Sequence, residues 1–172
     1  FRQCGLKVPP GFEDLRNEEE IIHALTELKL ADPSLQRAVV KMNDGFSGEG
    51  NAVFSFAEME DTEEVKRWVT DHLQQQLKIV AGDLTYKDFM FKFQHMGGIV
   101  EAFVEGAIKT SPSVQCRINP LGDCKVISTH DQLVGGESGQ VFLGASFPAR
   151  EEYAIEIGEY GLKVAEALSK NG

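Results

Sequence analysis

Ile21, Ile22, Leu25 and Leu28 recur three and four residues apart, the spacing that gathers apolar side chains on one face of a helix. Asn17, with Glu20 three residues on, supplies a cap for that helix, and Pro33 lies beyond its end. Two short β-prone runs follow, Arg37 to Lys41 and Asn51 to Phe56, predicting a hairpin across a glycine-rich loop. Val65, Trp68, Val69, Leu73 and Leu77 repeat at helical spacing behind Thr62 as a cap, with Trp68 read as core. Gly82 to Lys87 reads as a linker, Phe89 to Phe93 alternates as a strand would, and Ile99 to Val104 predicts a further strand stopping at Gly106. This half is expected to be a ββαββ lobe.

After Gly106 the pattern changes. Ser111-Pro112 breaks the chain, and Val114 to Ile118 and Lys125 to Thr129 read as strands joined by a turn at Pro120-Leu121-Gly122-Asp123. Gln132 to Pro148 is long and glycine-rich with few charges, as a binding or lid loop would be. A last helix is predicted over Glu151 to Ser169, with Ile157, Tyr160 or Gly161, Val164, Ala165 and Leu168 along one stripe. Two lobes result, residues 1–106 and 107–172, in an α+β chain.

Composition narrows the function classes. At 172 residues and 42% apolar the chain can bury one substantial core or two small ones. Seventeen basic residues are scattered among 27 acidic ones for a net charge of −10, which argues against nonspecific binding to nucleic acid or an anionic membrane. Cys4, Cys116 and Cys124 are odd in number and lack CxxC spacing, so neither a disulfide framework nor a zinc site is indicated and a reducing, cytoplasmic compartment fits. No transmembrane-length apolar segment or signal peptide is present, and the opening at Phe1 reads as that of a fragment.

The densest chemical signal is Val39-Val40-Lys41 running into a loop with Gly45, Ser47, Gly48 and Gly50 before Asn51 to Phe56. Glycines let backbone N–H groups approach an anion, and Lys41 adds a point charge at the root. The predicted ligand is a nucleotide; the alternative is a plain surface hairpin with a nearby lysine. The loop is not GxxxxGK[ST], because its lysine comes first and a strand follows, and neither it nor Gly135-Gly136-Glu137-Ser138-Gly139 has the GxGxxG spacing. Asp44 and Glu49 repel phosphate unless they point outward or meet a metal.

Taken together, the order of these pieces resembles the ATP-grasp superfamily of carboxylate-amine and peptide ligases. Gly5-Leu6-Lys7-Val8-Pro9-Pro10-Gly11 looks like the start of its small nucleotide lobe, and Val39-Val40-Lys41 with the glycine loop looks like its phosphate lysine and covering loop. Gly98-Ile99-Val100-Glu101-Ala102-Phe103-Val104-Glu105-Gly106 is similar to its interlobe hinge. Ser111-Pro112-Ser113-Val114-Gln115 and Ser128-Thr129-His130-Asp131-Gln132 look most like the pheganomycin-type peptide-ligase branch, and the IQ motif-containing protein H family carries a similar segment.

The resemblance implies an ATP-grasp-like fold of two α+β lobes around a nucleotide cleft, incomplete at both ends of this chain. It implies ATP as the nucleotide and an unidentified carboxylate and amine as substrates, joined through an acylphosphate. Lys41 would contact the α/β-phosphates, Gly45, Ser47, Gly48 and Gly50 would cover the β/γ-phosphates, and Glu101, Ala102, Phe103 and Val104 would receive adenine. Mg2+ is implied too, with its ligands expected outside this chain, so the fragment alone is expected to be inactive. The position of the family's ribose-binding acid is taken by Ala107 and Ile108, leaving Glu105 as a substitute.

Arg117 is a candidate for the γ-phosphate or acylphosphate, against the alternative of an exposed strand arginine. For Lys41 and Glu101 the alternatives are an exposed strand-end lysine and a solvated carboxylate. His130 and Asp131 are adjacent and would face opposite ways on a strand. His23 and His95 lack metal-ligand spacing, and Cys116 beside Arg117 is either a low-pKa thiol or a buried strand cysteine. The competing function is a non-catalytic ATP-grasp-like module that senses nucleotide or presents an interaction surface.

Overall fold

Asn17 caps the first helix: its side-chain oxygen accepts the Glu20 backbone N–H at 2.9 Å, at the start of α1 (Glu18–Ala31). The structure is a computed structural model and describes residues 1–45, 48–57, 64–136, 139 and 141–170. Thr62 lies outside the described residues. Before α1 come a 3-10 turn, Arg2–Cys4, and β1 (Gly11–Leu15); after it come β2 (Arg37–Met42), β3 (Asn51–Ser55), α2 (Val65–Gln76), β4 (Leu77–Ile79), α3 (Tyr86–Met96) and β5 (Gly98–Ala102). The rest is β6 (Ser111–Ile118), β7 (Cys124–Gly135), β8 (Val141–Ser146) and α4 (Glu151–Ser169).

The chain divides into two units. The first comprises Pro9–Glu105 with Gly136–Val141; the second comprises Phe1–Val8, Gly106–Gly135 and Phe142–Gly172. Residues 1–8 thus group with the C-terminal half, whereas the sequence reading puts them with residues 9–106; the reason is that the 3-10 turn packs against α4.

In the first unit five strands form an antiparallel sheet in the order β1-β5-β2-β3-β4. Because side chains alternate along each strand, Ala38, Val40, Ala52, Phe54 and Val100 share one face, and all are buried in the core. Onto it pack Ile21, Ala24, Leu25 and Leu28 of α1, Val65, Val69 and Leu73 of α2, and Phe89, Met90 and Phe93 of α3. Trp68 packs on this core, edge-on to Phe54 and stacked on His72. Lys29 is buried at the end of α1, and its ammonium donates to the carbonyls of Pro33 and Leu35, both at 2.8 Å, which supplies the partners a buried charge needs.

Three expectations are corrected. Phe89 to Phe93 is helix, not strand: Thr85 accepts the Asp88 N–H at 3.2 Å as an N-cap, and Phe89 and Phe93 are one turn apart on the buried side while Phe91 is exposed. Leu77 is not the last rung of α2 but the first residue of β4, opposite Phe54. The ββαββ lobe is therefore a five-stranded sheet with three helices, β1 and β4 having been missed.

In the second unit β6, β7 and β8 form a three-stranded sheet in that order. The segment from Gln132 to Pro148 is not a loop throughout, since it carries the end of β7 and all of β8. Helix α4 has the bounds its stripe predicts and packs on β6 and β7.

Candidate functional site

The sheet face turned away from the first unit's core carries Lys41 and Glu101, two of the predicted nucleotide residues, while Ala102 packs on the core side. A row runs across five strands, Gly11, Glu101, Val39, Val53 and Lys78, each opposite the next; beside it run Ile99, Lys41 and Asn51. The ammonium of Lys41 is ion-paired to the Glu101 carboxylate diagonally across β2 and β5, with the side chains 33% and 18% exposed. The exposed strand-end lysine and the solvated carboxylate of the alternatives are here partly buried and paired with each other.

Beyond Ala102 the chain leaves β5. The Ala102 N–H donates to the Pro10 carbonyl at 2.8 Å, and the Phe103 N–H donates to the Arg37 carbonyl at 3.0 Å. Arg37 also sets its guanidinium 4.0 Å from the centroid of the Phe103 ring and pairs with Glu105 at 2.6 Å. Val104 is exposed. Sequence reasoning passed over Arg37 and Lys78. A signal for Arg37 was present, because Arg37 and Lys41 are four apart along β2 and Glu101 and Glu105 are four apart across the end of β5.

The glycine loop is tied at its root. Asn43 takes the Gly97 carbonyl through its N–H at 2.9 Å and the Met96 carbonyl through its side-chain amide at 3.0 Å. A Cβ on either Gly45 or Gly50 would stand 3.0 Å from the other's Cα, so these two glycines permit the loop's ends to touch, a separate use from anion binding. Gly50 is buried, and Gly48 has φ 87°, its carbonyl accepting the Asn51 N–H at 3.0 Å. Ser47 lies outside the described residues.

Arg117 belongs to the second unit. It is exposed on β6, directly opposite Lys125, on the sheet face away from α4. His130, opposite Ser113, and Asp131, opposite Pro112, do alternate; Asp131 accepts from the hydroxyl of Tyr153 in α4. Cys116 lines a groove of about 480 Å³ between β6 and α4 with Val114, Ile118, Ile157, Val164 and Ala165. Burial, with Cys124 nearby, pushes its thiol pKa up, which removes the low-pKa reading. Among the described residues no three His, Cys, Asp or Glu side chains gather as a metal site would require, and no helix is long and apolar enough to cross a membrane.

The sequence model of a family described as IQCH-like, ATP-grasp matches residues 1–82 and 60–172. The chain belongs to the IQCH-like ATP-grasp family. Among curated relatives of this ATP-grasp chain is the L-propargylglycine--L-glutamate ligase of Streptantibioticus cattleyicolor, 30% identical over 173 residues and matched across 99% of this chain and 33% of the ligase. The IQ motif-containing protein H of Danio rerio is 25% identical over 175 residues, covering 86% of this chain and 16% of that protein. The chain thus spans a third or less of the length of these relatives. Its ATP-grasp-like fold is shared with the ADP complex of purK, an N5-carboxyaminoimidazole ribonucleotide synthetase, at a TM-score of 0.57 and 18% identity over 99% of this chain and 35% of that one. The Staphylococcus aureus N5-carboxyaminoimidazole synthetase complexed with ADP gives 0.50 and 15% over 97% and 34%.

Proposed function

We propose that this chain is the nucleotide-binding part of an ATP-dependent carboxylate-amine ligase, with the first unit as the small nucleotide lobe and the second as the start of the larger one. The observation that carries the proposal is the meeting of Lys41 and Glu101 on the sheet face opposite the core, where the chain runs on into Ala102, Phe103 and Val104. Lys41 contacts the α/β-phosphates, Gly45, Ser47, Gly48 and Gly50 cover the β/γ-phosphates, and the Ala102 carbonyl and Val104 N–H read the adenine edge. Arg117 meets the γ-phosphate or acylphosphate through its two-pronged guanidinium.

In the proposed reaction the γ-phosphoryl of ATP passes to a carboxylate oxygen, releasing ADP; an amine then attacks the acyl carbon, and phosphate leaves as the amide forms. The protein's part is positioning and charge neutralisation. The proposal assigns magnesium no ligand in this chain. The relatives' names, a ligase and two synthetases of which two structures hold ADP, support this reading.

A second reading, a non-catalytic nucleotide-sensing or interaction module, draws on the pairing of Lys41 with Glu101, which neutralises the phosphate lysine. Heteronuclear NMR titration with ATP-magnesium and with ADP, beside Lys41→Ala, tests nucleotide binding. Shifts at 41–51 and 101–104 that vanish in the variant are expected; their absence at millimolar nucleotide overturns the ligase reading for this chain. Release of ADP by the full-length protein with a carboxylate and an amine separates ligase from module.

A further inference from the structure

Arg37 touches the segment beyond β5 in three ways. Its carbonyl accepts the Phe103 N–H at 3.0 Å, its guanidinium covers the Phe103 ring at 4.0 Å, and its Nε and Nη2 reach the same oxygen of Glu105 at 2.7 and 2.6 Å. One side chain of β2 therefore fixes an aromatic ring and a carboxylate in a stretch that has left the sheet. A lysine could not do both, since a compact ammonium has neither the planar stacking face nor the fork.

The same strand carries Lys41 four residues on, and its pair with Glu101 has the diagonal offset that Arg37 has with Glu105. Arg37 and Glu105 are each about a third exposed, so their pair adds little to global stability. A device that contributes little to stability yet pins Phe103 and Glu105 is suited to preorganisation, which raises affinity by lowering the ordering cost of binding.

We infer that Arg37 is a positioning residue for adenine-nucleotide binding, acting through Phe103 and Glu105 without touching the phosphates; this rests on the reading of Glu101–Val104 proposed above. Arg37 holds the segment in one conformation before the base arrives. Its loss weakens ligands that carry adenosine and spares those that are phosphate alone.

The test uses the 172-residue chain and three ligands, ADP, adenosine and inorganic tripolyphosphate, by calorimetric titration, with thermal unfolding alongside. Arg37→Met is expected to weaken ADP and adenosine by a common factor of about ten, leave tripolyphosphate unchanged and shift the melting temperature little; Arg37→Lys recovers part of the loss. Equal binding of ADP and adenosine by wild type, Arg37→Met and Glu105→Gln overturns the inference and leaves the nucleotide reading standing. An equal loss for tripolyphosphate also overturns it, since Arg37 would then act at the phosphates. A wild type that binds neither ADP nor adenosine overturns both. If Arg37→Met fails to fold, Arg37→Lys, which keeps a positive charge for Glu105 but removes the stack on Phe103, decides: weakened ADP and adenosine with unchanged tripolyphosphate supports the inference, and unchanged binding of all three overturns it.

Discussion

Lys41 and Glu101 form an ion pair on neighbouring strands, each standing one pleat away from the residue directly opposite it. The pair makes Glu101 a competitor for any phosphate that approaches Lys41. Glu101→Gln removes that negative charge and leaves Lys41 in place, so inorganic tripolyphosphate should bind about fivefold tighter, roughly 1 kcal/mol for a partly exposed pair. Calorimetric titration at low salt measures it; unchanged or weaker binding means that Lys41 is not the phosphate contact.

Asn17 caps α1 by accepting the Glu20 N–H, while the Glu20 carboxylate accepts the Arg16 N–H. Asn17→Ala should lower the unfolding free energy by about 1 kcal/mol, read from urea denaturation followed by circular dichroism. A change within error would place the helix's stability wholly in Ile21, Ala24, Leu25 and Leu28.

Gly98 sits where a Cβ would stand 2.2 Å from the Lys41 carbonyl and 2.3 Å from the Phe93 ring. Neither neighbour can yield without moving β2 or the core. Gly98→Ala should cost about 1–3 kcal/mol, as overpacking does, and move the Met42 amide resonance, because the displaced Lys41 carbonyl shares its peptide plane with the Met42 N–H. A variant as stable as wild type would show that β5 can shift as a body.

All three tyrosines resist ionisation. Burial raises the pKa of Tyr86, with the nearby Glu18 carboxylate adding to it. Hydrogen bonds raise the other two, Tyr153 through Asp131 and Tyr160 through Glu156. Their folded values stand above the ordinary 10.0, so below that pH folded and unfolded chains are equally protonated and the contribution is fully present. As pH rises past it the unfolded chain loses its protons first, and stability falls. Ultraviolet titration of the folded protein should find the phenols ionising at higher pH than in the unfolded chain, with melting temperature declining above pH 10; a normal titration would refute the three contacts.

Helix α1, with its Asn17 cap, and helix α4, with its long apolar stripe, were legible because nothing competes with their 3.6-residue period. Phe89 to Phe93 misled because three phenylalanines at alternate positions satisfy the strand period while two of them also satisfy the helix turn; the Thr85 cap with Asp88 three residues on decides for helix. Strand β1 was hidden because Glu13 and Asp14 interrupt it, Asp14 at φ 61° in an irregular register with β5. Lys41 and Glu101 could be named from local motif, but their partnership is set by the register of β2 against β5, which depends on residues sixty positions apart and leaves only the shared four-residue spacing as a trace.

The 3-10 turn Arg2–Cys4 packs on α4, while residues 9–105 form a unit around their own sheet. A ribosome makes the chain in one direction. The turn is made before its docking surface, so the sheet of residues 9–105 can acquire its core while Arg2–Cys4 wait for α4, and the unit that holds both closes later.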